Sequence, residues 1–175
     1  MLWSCVNFLS PEECQTILQE GNASSLQAAE LATGFRPELR LTQVCALQQP
    51  LPHLNQRVIQ ELSRVRVPGY ELSRFGPWQF GRYDTGSFFA WHRDNDGVDL
   101  VHRYYSVVIA LGGGYTGGEL ETEWQGELRT WTLSPGELVM FPSSARHQVK
   151  EVISGTRYSL VNWLGLVKVG GAALL

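Results

Sequence analysis

From Phe75 onward the chain breaks into about eight short runs rich in β-branched and aromatic residues, each fenced by glycine or proline: WQFGRYD, SFFAWHR, YYSVVIAL, GELETEW, LRTWTL, GELVMFP, HQVKEVI and RYSLVNWLG. Strands at such spacing suggest an antiparallel sandwich or jelly roll. The first 74 residues carry helical signals instead. In SPEECQTILQEG, Ser10 is the expected N-cap, Pro11 the first helical residue and Glu13 the partner of a capping box. Cys14, Ile17 and Leu18 fall at helical spacing and Gly21 reads as the stop. A second helix is expected in PHLNQRVIQELSR, with Leu54, Val58 and Leu62 as a narrow stripe, and SSLQAAELATG is a weaker candidate between them. The expectation is mainly β with N-terminal helices. Residues 1–175 form one domain, 1–74 being mainly helical support and 75–167 the jelly-roll core, with the helices packed on one sheet from outside.

Composition removes several classes of function. A net charge of −3 over 175 residues lacks the basic excess of a general nucleic-acid binder, so no nucleic-acid partner is expected. Cys5, Cys14 and Cys45 are odd in number and fit no zinc spacing, which argues against a disulfide framework and for a reducing cytoplasm. The opening MLWSCVNFLS has no basic flank and is broken by Pro11, and no apolar run is long enough to cross a bilayer. Neither secretion nor membrane anchoring is indicated.

The chemistry concentrates in FFAWHRDND, where His92 and Asp94 stand two residues apart. Side chains alternate along a strand, so both are expected on one face with Phe88 and Ala90. Phe89, Trp91 and Arg93 then face the other side, where the helices would bury the rings. An imidazole and a carboxylate that converge inside a barrel supply two ligands of a 2-His-1-carboxylate metal site; by themselves they are more often a plain hydrogen-bonded pair at a strand end, and a third ligand is required. Among the four histidines, His53 begins the second helix and His102 sits beside Arg103 where a strand starts, which leaves His147, in FPSSARHQV, as the candidate third ligand. Ten residues on, Arg157 leads into an apolar strand and must reach solvent or an anion, and a planar guanidinium suits a bidentate carboxylate.

YDTGSFFAWHRD, GGEL, FPSSARHQV and GTRYSLVNW together resemble the iron- and 2-oxoglutarate-dependent dioxygenases of the prolyl 4-hydroxylase-like group, in particular the small bacterial PKHD-type hydroxylases. The likeness runs from Phe80 to Trp163. It implies a double-stranded β-helix on which His92, Asp94 and His147 hold Fe(II), with 2-oxoglutarate and dioxygen as cosubstrates and ascorbate as a candidate cofactor. It also implies that Arg157 binds the distal carboxylate of 2-oxoglutarate and that Ser159 and Tyr83 assist, although each is as readily a core residue. Hydroxylation of a C–H bond, with release of succinate and carbon dioxide, follows from the resemblance, on a small molecule, an amino acid or a prolyl-type residue of a peptide. Asp94 stands where related halogenases have a small residue, which favours hydroxylation.

Three further expectations accompany the likeness. Val107 to Leu111 offer no hydroxyl where some relatives place a tyrosine, so Ser159, Ser106 or water would help Arg157. GGYTGGEL reads as turn architecture, with Glu119 not catalytic. The short acidic loop DNDGVDLVHRYYS would leave one side of the site open, with Asp96 and Asp99 favouring a cationic substrate group. The alternatives from other classes are a non-catalytic jelly-roll module that binds a ligand and an AlkB-like nucleic-acid demethylase. The second is disfavoured because Trp163 stands where that group carries a second arginine.

Overall fold

Two antiparallel sheets face each other in the computed structural model, which describes residues 2–31, 33–64, 69–97, 102–112 and 114–168. The large sheet runs in the order β1 (Trp3–Cys5), β12 (Leu138–Pro142), β8 (Tyr105–Ala110), β15 (Arg157–Lys168), β6 (Trp78–Tyr83), β4 (Gln43–Leu47) and β2 (Gln27–Ala28). β5 (Tyr70–Phe75) pairs with the far half of β15. The small sheet is β11 (Glu127–Trp131), β10 (Leu120–Trp124), β13 (Arg146–Val149), β7 (Phe88–His92) and β3 (Arg40–Leu41). β9 (Thr116–Gly117) and β14 (Val152–Ser154) make a separate ladder. All eight expected strands are present, HQVKEVI being divided between β13 and β14, and the mainly β, jelly-roll expectation holds.

Helix α1 (Pro11–Ala23) begins as its sequence dictates: the Glu13 N–H donates to Ser10 Oγ and the Ser10 N–H donates to Glu13 Oε2, which satisfies two end donors reciprocally. It does not stop at Gly21. That residue lies inside the helix because the Phe80 ring occupies the space of a side chain, 2.5 Å from where a Cβ would stand. Helix α2 (Leu54–Arg64) is joined to α1 by Arg57, which donates to Glu13 at 2.5 Å and to the Phe8 carbonyl. Neither helix is long and apolar enough to cross a membrane.

Alternation sorts the large sheet into two faces. Trp78 and Phe80, Val107 and Ile109, Leu138 and Met140, Leu160 and Leu164 point outward and form one core with Cys14, Ile17, Leu54 and Val58 of the helices. Val108, Val139, Phe141 and Tyr83 point inward and pack with Leu120, Trp131 and Val149 of the small sheet.

The segment expected as a weak third helix is not helical: SSLQAAELATG holds β2 and an isolated bridge between Leu31 and Gly34. Residues 1–74 also contribute five short strands, to both sheets, so helical support is only part of what they build. A two-residue strand has no periodicity to read, and pairing with an existing ladder is what makes it a strand.

Candidate metal centre and its cavity

The alternation expected along FFAWH fails, and the failure shapes the site. His92 stands opposite His147 while Phe89 stands opposite Val149, so three steps on β7 match two on β13. The extra residue is a bulge at Ala90–Trp91. Phe89 therefore returns to the cavity side beside His92, with the two rings stacked at 3.5 Å between centroids and 11° between planes. Trp91 lies beneath the Arg146 guanidinium of the small sheet rather than under a helix. Asp94 lies beyond the end of β7, and its N–H donates to the Ser143 carbonyl at 2.9 Å, which fixes the turn that carries it.

Three donor groups converge here. Asp94 Oδ1 is 3.5 Å from His92 Nε2, and Oδ2 is 3.4 Å from His147 Nε2. One ligand atom from each residue lies within 4.8 Å of the others. Both imidazoles are turned by the same device: each Nδ1 lies at hydrogen-bond distance from the carbonyl two residues earlier, Ala90 at 2.8 Å for His92 and Ala145 at 2.9 Å for His147. A carbonyl only accepts, so Nδ1 carries a proton and Nε2 of each ring is turned toward Asp94 and the centre. Asp94 accepts a 2.5 Å hydrogen bond from Ser106 Oγ, which is 3.0 Å from Ser143 Oγ. Ser106 is thus a support for Asp94 and not a helper of Arg157.

Burial alone would raise the Asp94 carboxyl, but the charge and hydrogen bonds of His147 and His92 hold it well below its ordinary value. Burial lowers His92, and for His147 the adjacent Asp94 more than offsets the same effect and raises it. A buried carboxylate flanked by two oriented imidazoles suits a divalent cation that keeps open positions.

On the facing sheet, Arg157 is 3% exposed, and its Nη1 is buried without a hydrogen-bond partner. Its guanidinium lies 5.0 Å from the Tyr83 ring, on the register partner of Arg157. Gly118, at φ 66°, admits the arginine stem: a Cβ there would stand 3.1 Å from Arg157 Cδ. Ser159 is 1% exposed and packs beside Gly81. Arg157, Ser159, Val161 and Trp163 line one cavity of about 560 Å³ with Tyr83, His92, Asp94 and His147, as the parity of β15 predicts.

Other candidates fall elsewhere. His53 is exposed and pairs with Gln56, His102 is exposed, and Glu119 lies 3.6 Å from Lys150. Asp96 is exposed at the cavity, and Asp99 lies outside the described residues. Among the cavity residues that escaped the sequence reading, three stand close to the site's aromatic rings. Phe89 was assigned to the wrong face. Arg103, to which the sequence reading gave no role, is half-buried with its guanidinium 3.8 Å from the Trp163 ring. Arg40, on β3, is 8% exposed with its guanidinium 4.4 Å from the Phe89 ring. An arginine beside an aromatic at the start of a strand is the signal that could have found Arg103; a strand as short as β3 offers none for Arg40.

The family model described as the 2OG-Fe(II) oxygenase superfamily matches residues 78–165, half of the chain. A PKHD-type hydroxylase of Shewanella baltica is 35% identical over 97 residues, which is 52% of this chain and 43% of that relative. The match therefore spans less than half of the relative's length. Among solved structures, a prolyl hydroxylase from Trichoplax adhaerens in complex with a hypoxia inducible factor peptide superposes with a TM-score of 0.81 at 19% identity, covering 94% of this chain and 83% of that one. A Pseudomonas putida prolyl-4-hydroxylase gives 0.74 at 22%, covering 94% and 92%. At these identities the superpositions establish the fold.

Proposed function

The chain belongs to the 2OG-Fe(II) oxygenase superfamily, and from this we propose that it is a 2-oxoglutarate-dependent dioxygenase that hydroxylates a C–H bond of a small molecule, an amino acid or a prolyl-type residue. The observation that carries the reading is Arg157: a guanidinium 3% exposed, with Nη1 unanswered, across one cavity from a cluster of two imidazoles and a carboxylate. An unpaired buried charge is costly. A dicarboxylic cosubstrate that reaches from the metal cluster to Arg157 supplies the missing anion.

We assign His92, Asp94 and His147 as the ligands of Fe(II) on a double-stranded β-helix core. When bound, Fe(II) and 2-oxoglutarate supply the oxidising chemistry, in which dioxygen is consumed, succinate and carbon dioxide leave and one oxygen atom enters the substrate as hydroxyl. The rest is done by the chain. The Ala90 and Ala145 carbonyls orient both imidazoles with Nε2 toward the centre, and Ser106 orients Asp94. Arg157 receives the distal carboxylate, with Tyr83 and Ser159 beside it, and the two sheets exclude bulk water from that end.

Purified protein supplied with Fe(II), 2-oxoglutarate and dioxygen should form succinate and carbon dioxide in equal amounts; none would leave a non-catalytic ligand-binding jelly roll. Arg157→Ala should raise the KM for 2-oxoglutarate by the equivalent of about 2–5 kcal/mol. Arg157→Lys should recover part of this, since the charge returns without the planar fork. An unchanged KM in the alanine variant overturns the assignment of Arg157.

A further inference from the structure

Arg157 is not the only buried guanidinium in the cavity. Arg40 reaches it from β3, the edge strand of the small sheet, and is 8% exposed. Its Nε is buried without a partner, and among the described residues its side chain makes no hydrogen bond or ion pair. Of the remaining arginines that line the cavity, Arg93 is exposed and donates to the Ser144 carbonyl, and Arg103 lies over the Trp163 ring. Glu30 and Asp96 also line the cavity, but both are exposed and neither pairs with Arg40.

Phe89 joins Arg40 to the metal cluster. Its ring stacks on His92 at 3.5 Å and lies 4.4 Å from the Arg40 guanidinium carbon, so an anion held by Arg40 sits about one aromatic ring from the centre. On the premise of the dioxygenase reading, we propose that Arg40 binds a carboxylate of the substrate and that the substrate is a small free acid of amino-acid size. One cavity then serves two carboxylates: Arg157 takes that of the cosubstrate on the large sheet, and Arg40 takes that of the substrate on the small sheet. A volume of about 560 Å³, part of it needed for 2-oxoglutarate, is in the range of small-molecule sites and leaves room for such an acid. The planar fork of arginine suits a carboxylate, and a carboxamide offers it one acceptor oxygen in place of two. The sign of this preference is opposite to the cationic group that Asp96 and Asp99 suggest from sequence.

The test uses the full chain with Fe(II) and 2-oxoglutarate. Pools of the free L-amino acids and of the matching L-carboxamides are scored for gain of one oxygen by mass spectrometry. The expected result is a responding acid whose carboxamide reacts at least about tenfold more slowly, as loss of a charge-assisted hydrogen bond predicts. Arg40→Gln should erase that discrimination by raising the KM of the acid, and Arg40→Lys should restore part of it. Saturation-transfer NMR with the same pools on the wild-type protein and on Arg40→Gln reads binding without turnover: acids should bind the first and not the second. Carboxamides that react or bind as well as acids overturn the proposal. So does a rise in the KM for 2-oxoglutarate alone in Arg40→Gln, or a failure of both pools to gain oxygen while substrate-free succinate release proceeds. Absence of that release counts against the dioxygenase reading itself, and the NMR contrast then decides on Arg40 independently.

Discussion

The two faces of β15 are presented by alternate residues of one strand and do opposite things. On the outer face Leu160 and Leu164 are wholly buried against Trp78 and Phe80, and Asn162 between them has its amide answered by the Gly76 carbonyl. On the inner face Arg157 and Trp163 keep buried nitrogens without partners beside an open cavity. Helices cover the first face with hydrocarbon, and the stability gained there offsets the cost of leaving the second unsatisfied. The inner face is therefore a place to seek ligands, and the outer face a place to seek folding energy.

Substitutions on opposite faces should break this division or sharpen it. The largest effect is expected for His147→Ala, which should abolish 2-oxoglutarate turnover while shifting the thermal midpoint little, since the apolar cores do not depend on it. Collapse of the fold in circular dichroism would show that the two faces are not separable. Next is Phe80→Ala on the outer face, expected to cost about 3–5 kcal/mol in urea denaturation while the folded fraction keeps the wild-type KM. Ser106→Ala removes the donor to Asp94 and should weaken Fe(II) binding by about 10–100-fold, read by metal titration. The smallest effect is that of Glu13→Gln, outside both faces. The hydrogen bond from Arg57 holds the Glu13 carboxyl below its ordinary range, and both side chains are about one-third exposed. The pair should contribute less than about 1 kcal/mol. That contribution is present above the ordinary glutamate range and lost as pH falls through the lowered value. Wild type and variant should thus differ in denaturation midpoint at neutral pH and converge in acid.

The same division separates what could be read from the sequence. Capping residues and 3.6-residue spacing located α1, and runs rich in β-branched and aromatic residues fenced by glycine or proline located the eight later strands, because those signals are local. His92, Asp94, His147 and Arg157 were recognisable as candidates from spacing and from the oddity of a charged residue entering an apolar strand. Phe89 was misplaced because a bulge shifts alternation by one residue and is set by pairing with β13, which the run FFAWH does not encode. Gly21 was misread as a stop because its reason for being glycine, the Phe80 ring, lies 59 positions away in the chain. Arg40 became visible only once β3 was paired to β7.

β15 is the last described strand to leave the ribosome, yet it fills the centre of the large sheet, between β8 and β6. Without β15 the ladder β1-β12-β8 and the ladder β6-β4-β2 would face each other with unpaired edges. Such edges invite pairing with other chains, and closing them by long-range contacts is slow. Arg157 arrives on the strand that closes the seam, so the cavity acquires its buried cation in the same event that completes the sheet. On the role proposed for Arg157, binding of a dicarboxylate requires the closed sheet and would report its closure.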